Sequence, residues 1–338
     1  MSDGPAVRTN DTVAEDLDAG RPVVALETAV LTHGLPKSVE APPASLLSGE
    51  RVQSCLGDHR WDERQPLHLE AVRAISAAVR HAGARPAVIG VIDGVLVIGL
   101  SDDELERLAH DEDAVKASTR DLASCALAGL NAGTTVAASM RACRLATPHP
   151  VRVFATGGIG GVHRGWQQRP DISADLRALA TEPVAVVSSG AKVILDVTAT
   201  LETLDTLGVP VVGVGTDRMP IFTAGVDENL RAPHRLDAAR DLASLCRSHW
   251  EDFSQTTGLL LVNPCPADAA LDPSRLDALV DTGLGEAASL GIDGADVTPF
   301  LLASMIGAED LDPLGANIAL LISNASLAGE IAVAMATG

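Results

Sequence analysis

The sequence predicts an α/β protein, a three-layer α/β/α sandwich around a mixed, mostly parallel central sheet. Short Val- and Ile-rich runs alternate along the chain with longer Ala- and Leu-rich stretches, as in strands separated by helices. The short runs are apolar throughout, which is typical of strands covered on both faces. Asp93-Gly94 separates two of these runs and is typical of a tight hairpin, so the sheet is expected to contain an antiparallel pair.

The individual elements follow from the same patterns. The predicted strands are residues 22–30, 87–92, 96–100, 151–155, 184–188, 209–214 and 259–262. The predicted helices are residues 69–81, 102–109, 121–128, 134–145, 172–180, 193–207, 236–253, 275–290 and 314–335.

The domain organisation follows from length and composition. A chain of 338 residues can bury one large core or two modest ones. It shows no repeat and no low-complexity linker, so we predict a single catalytic α/β domain over residues 21–336. Residues 1–20 are acidic and polar and are predicted to form a flexible arm. Residues 41–66 are polar and Pro-rich and predict a lid-like insertion, and residues 220–233 are predicted to form a second loop.

The charge and the cysteines exclude several functional classes. The 25 Lys and Arg residues against 45 Asp and Glu residues give a net charge of −20, which argues against nucleic acid polymers and anionic membranes. No apolar run is expected to reach the roughly 20 residues that span a bilayer. The acidic start is unlike a targeting peptide. The five scattered cysteines favour a reducing, cytoplasmic location without disulfides or a Cys-based metal site.

Lysine is rare in this chain. Only Lys37, Lys116 and Lys192 are lysines, and the other 22 basic residues are arginines. A lysine amine can lose its proton and attack carbon, whereas a guanidinium stays charged. The lysines are therefore candidates for chemistry that arginine cannot perform, although Lys37 follows a turn and suits a surface position.

A glycine-rich segment, residues 156–165, follows the predicted strand 151–155. Its backbone N–H groups could hold an anion, with His163 and Arg164 as further donors. The glycine spacing matches neither a dinucleotide fingerprint nor a P-loop, so nucleotide sites of those kinds are not expected. The alternative is a tight connection without a ligand.

Two other segments suit small anions or cations. Gly133-Thr134-Thr135-Val136 opens a predicted helix and could bind a phosphate, although an ordinary threonine cap is equally consistent. Asp171 and Asp175 lie four residues apart and could hold a hard divalent cation partly through waters. The alternative is that Asp171 caps the next helix.

Two residues carry the strongest signals for acid–base and nucleophilic chemistry. Lys192 follows the predicted strand 184–188 among small residues, a position where ligands bind in α/β sheets, and Lys116 would be a second cation. Glu27 lies within an apolar run, where a carboxylate must be paired or neutral and can serve as a general acid. His33 and Asn317 are weaker candidates.

These segments, in this order, resemble the pseudouridine-5′-phosphate glycosidase family. That family reversibly breaks the carbon–carbon bond between C1′ of ribose 5-phosphate and C5 of uracil. The matching stretches are VALETAVLTHG (24–34), KASTRDL (116–122), GTTVAASM (133–140), FATGGIGGVHRG (154–165), DISADL (171–176), SGAK (189–192), NPCP (263–266), TPFLL (298–302) and NIAL (317–320).

The resemblance implies roles for individual residues. By similarity, Lys192 attacks C1′ and forms an imine with ring-opened ribose 5-phosphate, and Glu27 donates a proton. Asp171 would bind one Mn²⁺ per subunit of a homotrimer. A C-glycosidic bond needs an electron sink at C1′, which a lysine imine supplies. The residues expected to bind the small phosphosugar substrate are Lys116, Thr135, Val136, Ser173, Ala174, Asp175, His163 and Asn317.

The sequence also departs from the family pattern. Thr28-Ala29 replaces Ser-Thr after the glutamate, residues 41–66 are longer, and residues 307–317 lack a Thr-Gly-Gly pattern. Residues 212–216 lack an aromatic. We therefore keep two alternatives: a C-glycosynthase that joins ribose 5-phosphate to another aromatic or heterocyclic acceptor, and a phosphosugar-binding protein without catalysis.

Overall fold

A central β-sheet organises the chain, with helices packed on both of its faces. The computed structural model describes residues 6–38, 49–168, 170–292, 297, 300 and 312–338. The strands within these residues are β1 Val7–Thr9, β2 Val23–Leu26, β3 Arg85–Ile92, β4 Val95–Ile98, β5 Val115–Ala117, β6 Ala132–Thr134, β7 Val153–Ala155, β8 Ala185–Ser188, β9 Val211–Val214, β10 Arg218–Pro220, β11 Val226–Arg231, β12 His234–Leu236 and β13 Leu259–Val262.

The helices form two layers around the sheet. The long helix α11 packs against α2, α3 and α9 on one face, and α6 and α7 pack together on the other. The helices are α1 Asp11–Asp18, α2 Glu50–Leu56, α3 Leu67–His81, α4 Asp102–His110, α5 Leu122–Ala128, α6 Val136–Leu145, α7 Ala174–Thr181, α8 Val197–Thr206, α9 Ala239–Arg247, α10 Pro273–Ser289 and α11 Pro313–Thr337.

The sheet is mixed and mostly parallel, as predicted. The order of its main path is β1-β4-β3-β2-β7-β8-β13-β9-β12, with β6 pairing to β3 and β5. The strands from β3 through β2, β7, β8, β13 and β9 to β12 are parallel. Because parallel strands end at the same edge, the loops after β2, β7 and β8 meet there.

The predicted hairpin is present between β3 and β4, which pair antiparallel with Ile92 opposite Val95. Asp93 has a φ of 50° and Gly94 a φ of 80°, the left-handed pair that a two-residue hairpin requires. A side chain at position 94 would also lie 2.9 Å from the Ala126 carbonyl oxygen, so glycine is needed there for space as well.

Residues 6–20 correct the prediction of a flexible arm over residues 1–20, of which residues 1–5 lie outside the described residues. Residues 7–9 pair with β4 as an added strand. The Asn10 side chain accepts from the next helix's first turn, and Val13 and Leu17 on that helix are buried. Apolar residues four positions apart therefore fix an acidic-looking segment to the core.

The predicted lid-like insertion, residues 41–66, is only partly within the described residues, which resume at residue 49. Helix α2 packs against α3 and α11 with Val52 buried. His59 Nε2 lies 3.1 Å from a carboxylate oxygen of the buried Glu70 on α3. The described part of the insertion is thus anchored to the helical layer.

Several other predicted elements differ in the structure. The predicted strand 22–30 ends at Leu26, and the predicted helix 193–207 begins at Val197. The predicted loop 220–233 contains an antiparallel pair, β10 with β11. The predicted helix 236–253 begins later, because Leu236 is the end of a strand that pairs with Val214. Most of the TPFLL motif at 298–302 lies outside the described residues.

Helix α11 corrects the expectation about apolar runs. By length and composition it could cross a membrane, with a mean hydropathy of 1.7 over its most apolar window. Yet 78% of that window is buried inside the fold, against α3, α9 and the sheet. Its apolarity is that of a largely buried core helix.

Candidate active site

A cavity of about 580 Å³ opens at the edge of the sheet where β2, β7 and β8 end. Residues 49–66 of the insertion contribute no side chain to its lining in the described chain. Nearly all of the site residues predicted from the sequence line this cavity: Glu27, His33, Lys116, Thr135, Val136, His163, Asp171, Ser173, Ala174, Asp175, Lys192 and Asn317. Arg164, expected as a further donor to an anion, does not line it, because its guanidinium bonds Asp281 and the Val193 carbonyl.

Glu27 is the first residue after β2, at the wall of the cavity. The Thr156 hydroxyl, from the end of β7, donates a hydrogen bond to its carboxylate. Burial raises the pKa of Glu27, while the nearby positive charge of Lys192 and the Thr156 hydrogen bond act in the opposite direction. Because the net shift is upward, the neutral acid form of Glu27 is favoured relative to a free glutamate.

Lys192 is positioned by the loop that leaves β8. Its backbone N–H donates to the Ile159 carbonyl at 3.1 Å, and the Ile159 N–H donates to Gly190 at 3.0 Å, so the lysine loop is paired to the glycine-rich segment. Gly190 has a φ of 81° and lies close to the Pro220 carbonyl, which leaves no room for a side chain. Within the described chain no carboxylate forms an ion pair with the half-buried Lys192.

Lys116 lies on β5 at the mouth of the same cavity. Burial and the positive charge of Lys192 lower its pKa, and the negative charges of Glu27 and Asp175 partly oppose this. Two lysines and a buried carboxyl group therefore share one electrostatic environment. Such a cavity can hold an anion and can also provide a neutral amine.

Asp175 ties three parts of the cavity wall together. It is 7% exposed, and its two carboxylate oxygens accept from the backbone N–H of Ala137 at 3.0 Å and of Gly160 at 2.8 Å. The N–H groups of Ile159 and His163 are likewise bonded within the protein. The glycine-rich segment therefore shapes the wall and offers fewer free donors for an anion than its sequence suggested.

Threonine and serine hydroxyls supply polar groups near Lys116. The Thr135 hydroxyl oxygen is buried in the cavity wall and has no hydrogen-bond partner among the described residues. The Ser173 hydroxyl accepts from the Asp175 N–H at 3.2 Å. Ser173 is thus the cap of α7, and the alternative that Asp171 caps this helix is wrong.

Asp171 faces His163 across the cavity rim. Its carboxylate oxygen lies 3.9 Å from His163 Nδ1, and both side chains are partly exposed. The described residues contain no group of three or more His, Cys, Asp or Glu side chains that could hold a metal. One carboxylate and one imidazole fit a hard divalent cation only if water or ligand oxygens complete its shell.

Among the cavity residues that the sequence reasoning missed are Thr156, Arg120 and Phe222. Thr156 and Arg120 lie inside two of the sequence motifs quoted above, and this position beside other candidate residues could have identified them as lining residues. Phe222 comes from the turn between β10 and β11, and nothing in its local sequence points to the cavity.

Comparison with known proteins places the chain in a family. The family described as indigoidine synthase A like protein matches residues 64–334. A pseudouridine-5′-phosphate glycosidase of Methylobacterium nodulans is 42% identical over 323 residues, covering 96% of this chain and 86% of the relative. The enzyme of the same name from Petrotoga mobilis is 37% identical, covering 98% of both chains.

Two solved structures share the fold. The prealnumycin C-glycosynthase AlnA, in complex with ribulose 5-phosphate, superposes with a TM-score of 0.81 at 33% identity, covering 98% of this chain and 97% of that one. An indigoidine synthase A-like protein from Thermotoga maritima gives a TM-score of 0.77 at 31% identity over 98% of both chains. The chain therefore belongs to the indigoidine synthase A like family, alongside proteins named pseudouridine-5′-phosphate glycosidase.

Proposed function

We propose that this protein reversibly cleaves the carbon–carbon glycosidic bond of pseudouridine 5′-phosphate, giving ribose 5-phosphate and uracil. The observation that carries the proposal is the presence of Lys192, Glu27 and Lys116 in one cavity. Relatives at about 40% identity over most of the chain carry the name of this activity.

The reaction divides between Lys192 and Glu27. The neutral amine of Lys192 adds to C1′ as the ring oxygen leaves and takes a proton. The bond between C1′ and C5 then breaks, the electron pair stays on the base, and C5 takes a proton, which Glu27 is placed to provide. The imine left on Lys192 is hydrolysed by water, which releases ribose 5-phosphate and restores the amine.

The phosphate group is assigned to the polar wall of the cavity. The unpartnered hydroxyl of Thr135, the hydroxyl of Ser173 and the ammonium of Lys116 lie in this wall. Thr135 is the N-cap of α6, so an anion bound beside it also meets the positive end of the helix dipole. These groups let a protein of strongly negative net charge hold an anion locally.

A divalent cation is assigned to Asp171 and His163. Mn²⁺ or Mg²⁺ suits a carboxylate with water-completed coordination, and its positive charge would help to hold the substrate's oxygens. The closeness of the pair, 3.9 Å between His163 Nδ1 and the Asp171 carboxylate, supports this assignment.

The second candidate is a C-glycosynthase for a different aromatic acceptor. The observation that favours it is the apolar side of the cavity, formed by Phe222, Ile194 and Leu321, together with the likeness to a C-glycosynthase of known structure. An apolar wall stacks on a flat ring but does not by itself select uracil.

A homotrimer is the proposed assembly. Apolar side chains are exposed on and around α5: Leu127 is 81% exposed, Leu145 41%, Leu130 38% and Val115 36%. Residues 122–133 carry no charge, and only Cys125 of α5 is buried. Such a surface suits burial against two further copies of the chain.

The five free, buried cysteines support a cytoplasmic location.

Two measurements test the proposed function. Incubation of the purified protein with pseudouridine 5′-phosphate and Mn²⁺ should release uracil and ribose 5-phosphate in equal amounts. Borohydride reduction in the presence of ribose 5-phosphate should leave a covalent adduct on Lys192. An adduct without uracil release would favour the C-glycosynthase. If neither the adduct nor uracil forms, the remaining alternative is the non-catalytic phosphosugar-binding protein.

A further inference from the structure

The Asn324 side chain lies in the middle of α11, fully buried beneath the cavity. Its amide nitrogen donates to the Thr156 carbonyl at 2.9 Å and to the Ser189 hydroxyl at 3.2 Å. A third acceptor, the Gly157 carbonyl, lies 3.5 Å from the same nitrogen. One core side chain therefore contacts the two loops that leave β7 and β8.

The orientation of this amide is fixed from the other side. Asn263 donates through Nδ2 to the Asn324 carbonyl oxygen at 2.9 Å and to the Ser323 hydroxyl at 3.2 Å. Since the Asn324 oxygen faces this donor, its NH₂ group must face the two loops. A buried amide with all its polar atoms engaged is rigid, because leaving any of them unpaired is costly.

The two contacted loops carry the reacting groups. Thr156 uses its backbone carbonyl for Asn324 and its hydroxyl for the carboxylate of Glu27. Ser189 lies three residues before Lys192, and its N–H donates to the Gly157 carbonyl at 2.8 Å. A displacement of the Asn324 amide would therefore disturb both Thr156, which bonds Glu27, and the loop that carries Lys192.

We propose that Asn324 is a positioning residue that sets the separation between the Glu27 carboxyl group and the Lys192 amine. The inference rests on the proposed function of these two groups and adds a residue that does not line the cavity. A nonpolar side chain at position 324 would satisfy the packing of a core helix, so what the amide adds is the link between the loops.

The first test replaces the amide and retains its branched shape. In Asn324→Leu, and in Asn324→Ser should leucine prevent folding, the rate of imine trapping with ribose 5-phosphate is expected to fall about 10- to 100-fold, as for a displacement of about 1 Å at a reacting centre. KM for the phosphosugar should change little, because the Thr135 and Lys116 wall is untouched. A trapping rate equal to wild type would overturn the proposal.

Ser323→Ala is the matched control. Ser323 is 2% exposed, is the neighbour of Asn324 on the same helix and accepts a hydrogen bond from Asn263, yet within the described part of the chain no hydrogen bond joins it to either loop. This variant should keep a trapping rate within about twofold of wild type, the range of a change without loss of a catalytic contact. An equal loss in both variants would show a general packing effect and would overturn the positioning role.

A second measurement needs no substrate and so separates this inference from the proposed function. Titration of the Glu27 carboxyl by carbon-13 NMR, assigned with Glu27→Gln, should show a higher pKa in Asn324→Leu than in wild type, because the Thr156 hydrogen bond that favours the carboxylate is weakened. The groups that act on Glu27, which are Lys192, Asp175 and Lys116, keep their charges in this variant, and a larger distance from Lys192 would raise the pKa of Glu27 further. An unchanged titration would contradict the inference even if the wild-type protein proved to have no glycosidase activity.

Discussion

Replacing Thr156 by valine should move the pH dependence of bond cleavage towards higher pH. Thr156 is 1% exposed, and its hydroxyl donates to the Glu27 carboxylate. Valine keeps the shape of the side chain and removes only this donor. Because the hydrogen bond favours the ionised form, its loss adds to the upward shift that burial already gives the pKa of Glu27.

The size of the effect follows from the strength of one hydrogen bond to a charged group. Such a bond contributes about 1.5–3 kcal/mol, which is about one to two pKa units. Glu27 lies at a cavity that water can enter, and water can replace part of the lost bond. We therefore expect a rise nearer to about one unit.

The sign of the change in rate follows from the role of Glu27 as proton donor. The donor is active when protonated, so the rate falls as pH rises through its pKa. In Thr156→Val the basic limb of kcat/KM for uracil release should therefore lie about one unit higher.

The matched control for this variant is Thr134→Val. Thr134 is also buried, and its hydroxyl bonds the Ile89 carbonyl, which also accepts from Thr28. The basic limb of kcat/KM for uracil release in Thr134→Val should stay at the wild-type position. A Thr156→Val limb that is unmoved or shifted to lower pH would refute the assignment of Glu27 as the acid that Thr156 tunes.

Three further predictions concern the nucleophile, the cation and the assembly. Lys192→Arg should give no detectable uracil release and no borohydride-trapped adduct, since a guanidinium keeps the charge but is a poor nucleophile. Its circular dichroism spectrum should stay unchanged. Residual turnover above about 1% would show that Lys192 is not the nucleophile. Asp171→Asn should weaken Mn²⁺ binding about tenfold or more in paramagnetic resonance titrations, and equal affinity would place the cation elsewhere. Leu127→Glu should convert the proposed trimer to smaller species in light scattering, because it places a charge in the apolar surface, and an unchanged mass would exclude that surface as the interface.

The central strands of the sheet and its hairpin could be predicted from the sequence because their signals are local. The continuous apolar runs and the Asp93-Gly94 pair specify strands and a hairpin through backbone chemistry alone. The rule that parallel strands end at one edge places Lys192 at that edge, and Glu27 lies there too because β2 ends at Leu26 and does not continue to residue 30. The cavity confirms that these two residues lie together, whereas their chemical roles remain predictions.

The features that sequence reasoning missed depend on distant contacts. Residues 7–18 are polar in composition, and only pairing with β4 and burial of Val13 and Leu17 make them part of the fold. The glycine-rich segment suggests free N–H donors, but Asp175 reaches across and accepts one of them. No local pattern shows that a core residue such as Asn324 bonds to two loops.

Helix α11 has a consequence for how the chain acquires its structure. It follows every strand of the sheet in sequence, yet it covers the face formed by β2, β7 and β8. During synthesis, that apolar face therefore stays uncovered until residues 313–337 have left the ribosome. Ordering of the loops that hold Glu27 and Lys192 is then expected to be among the last events of folding, coincident with the docking of this helix.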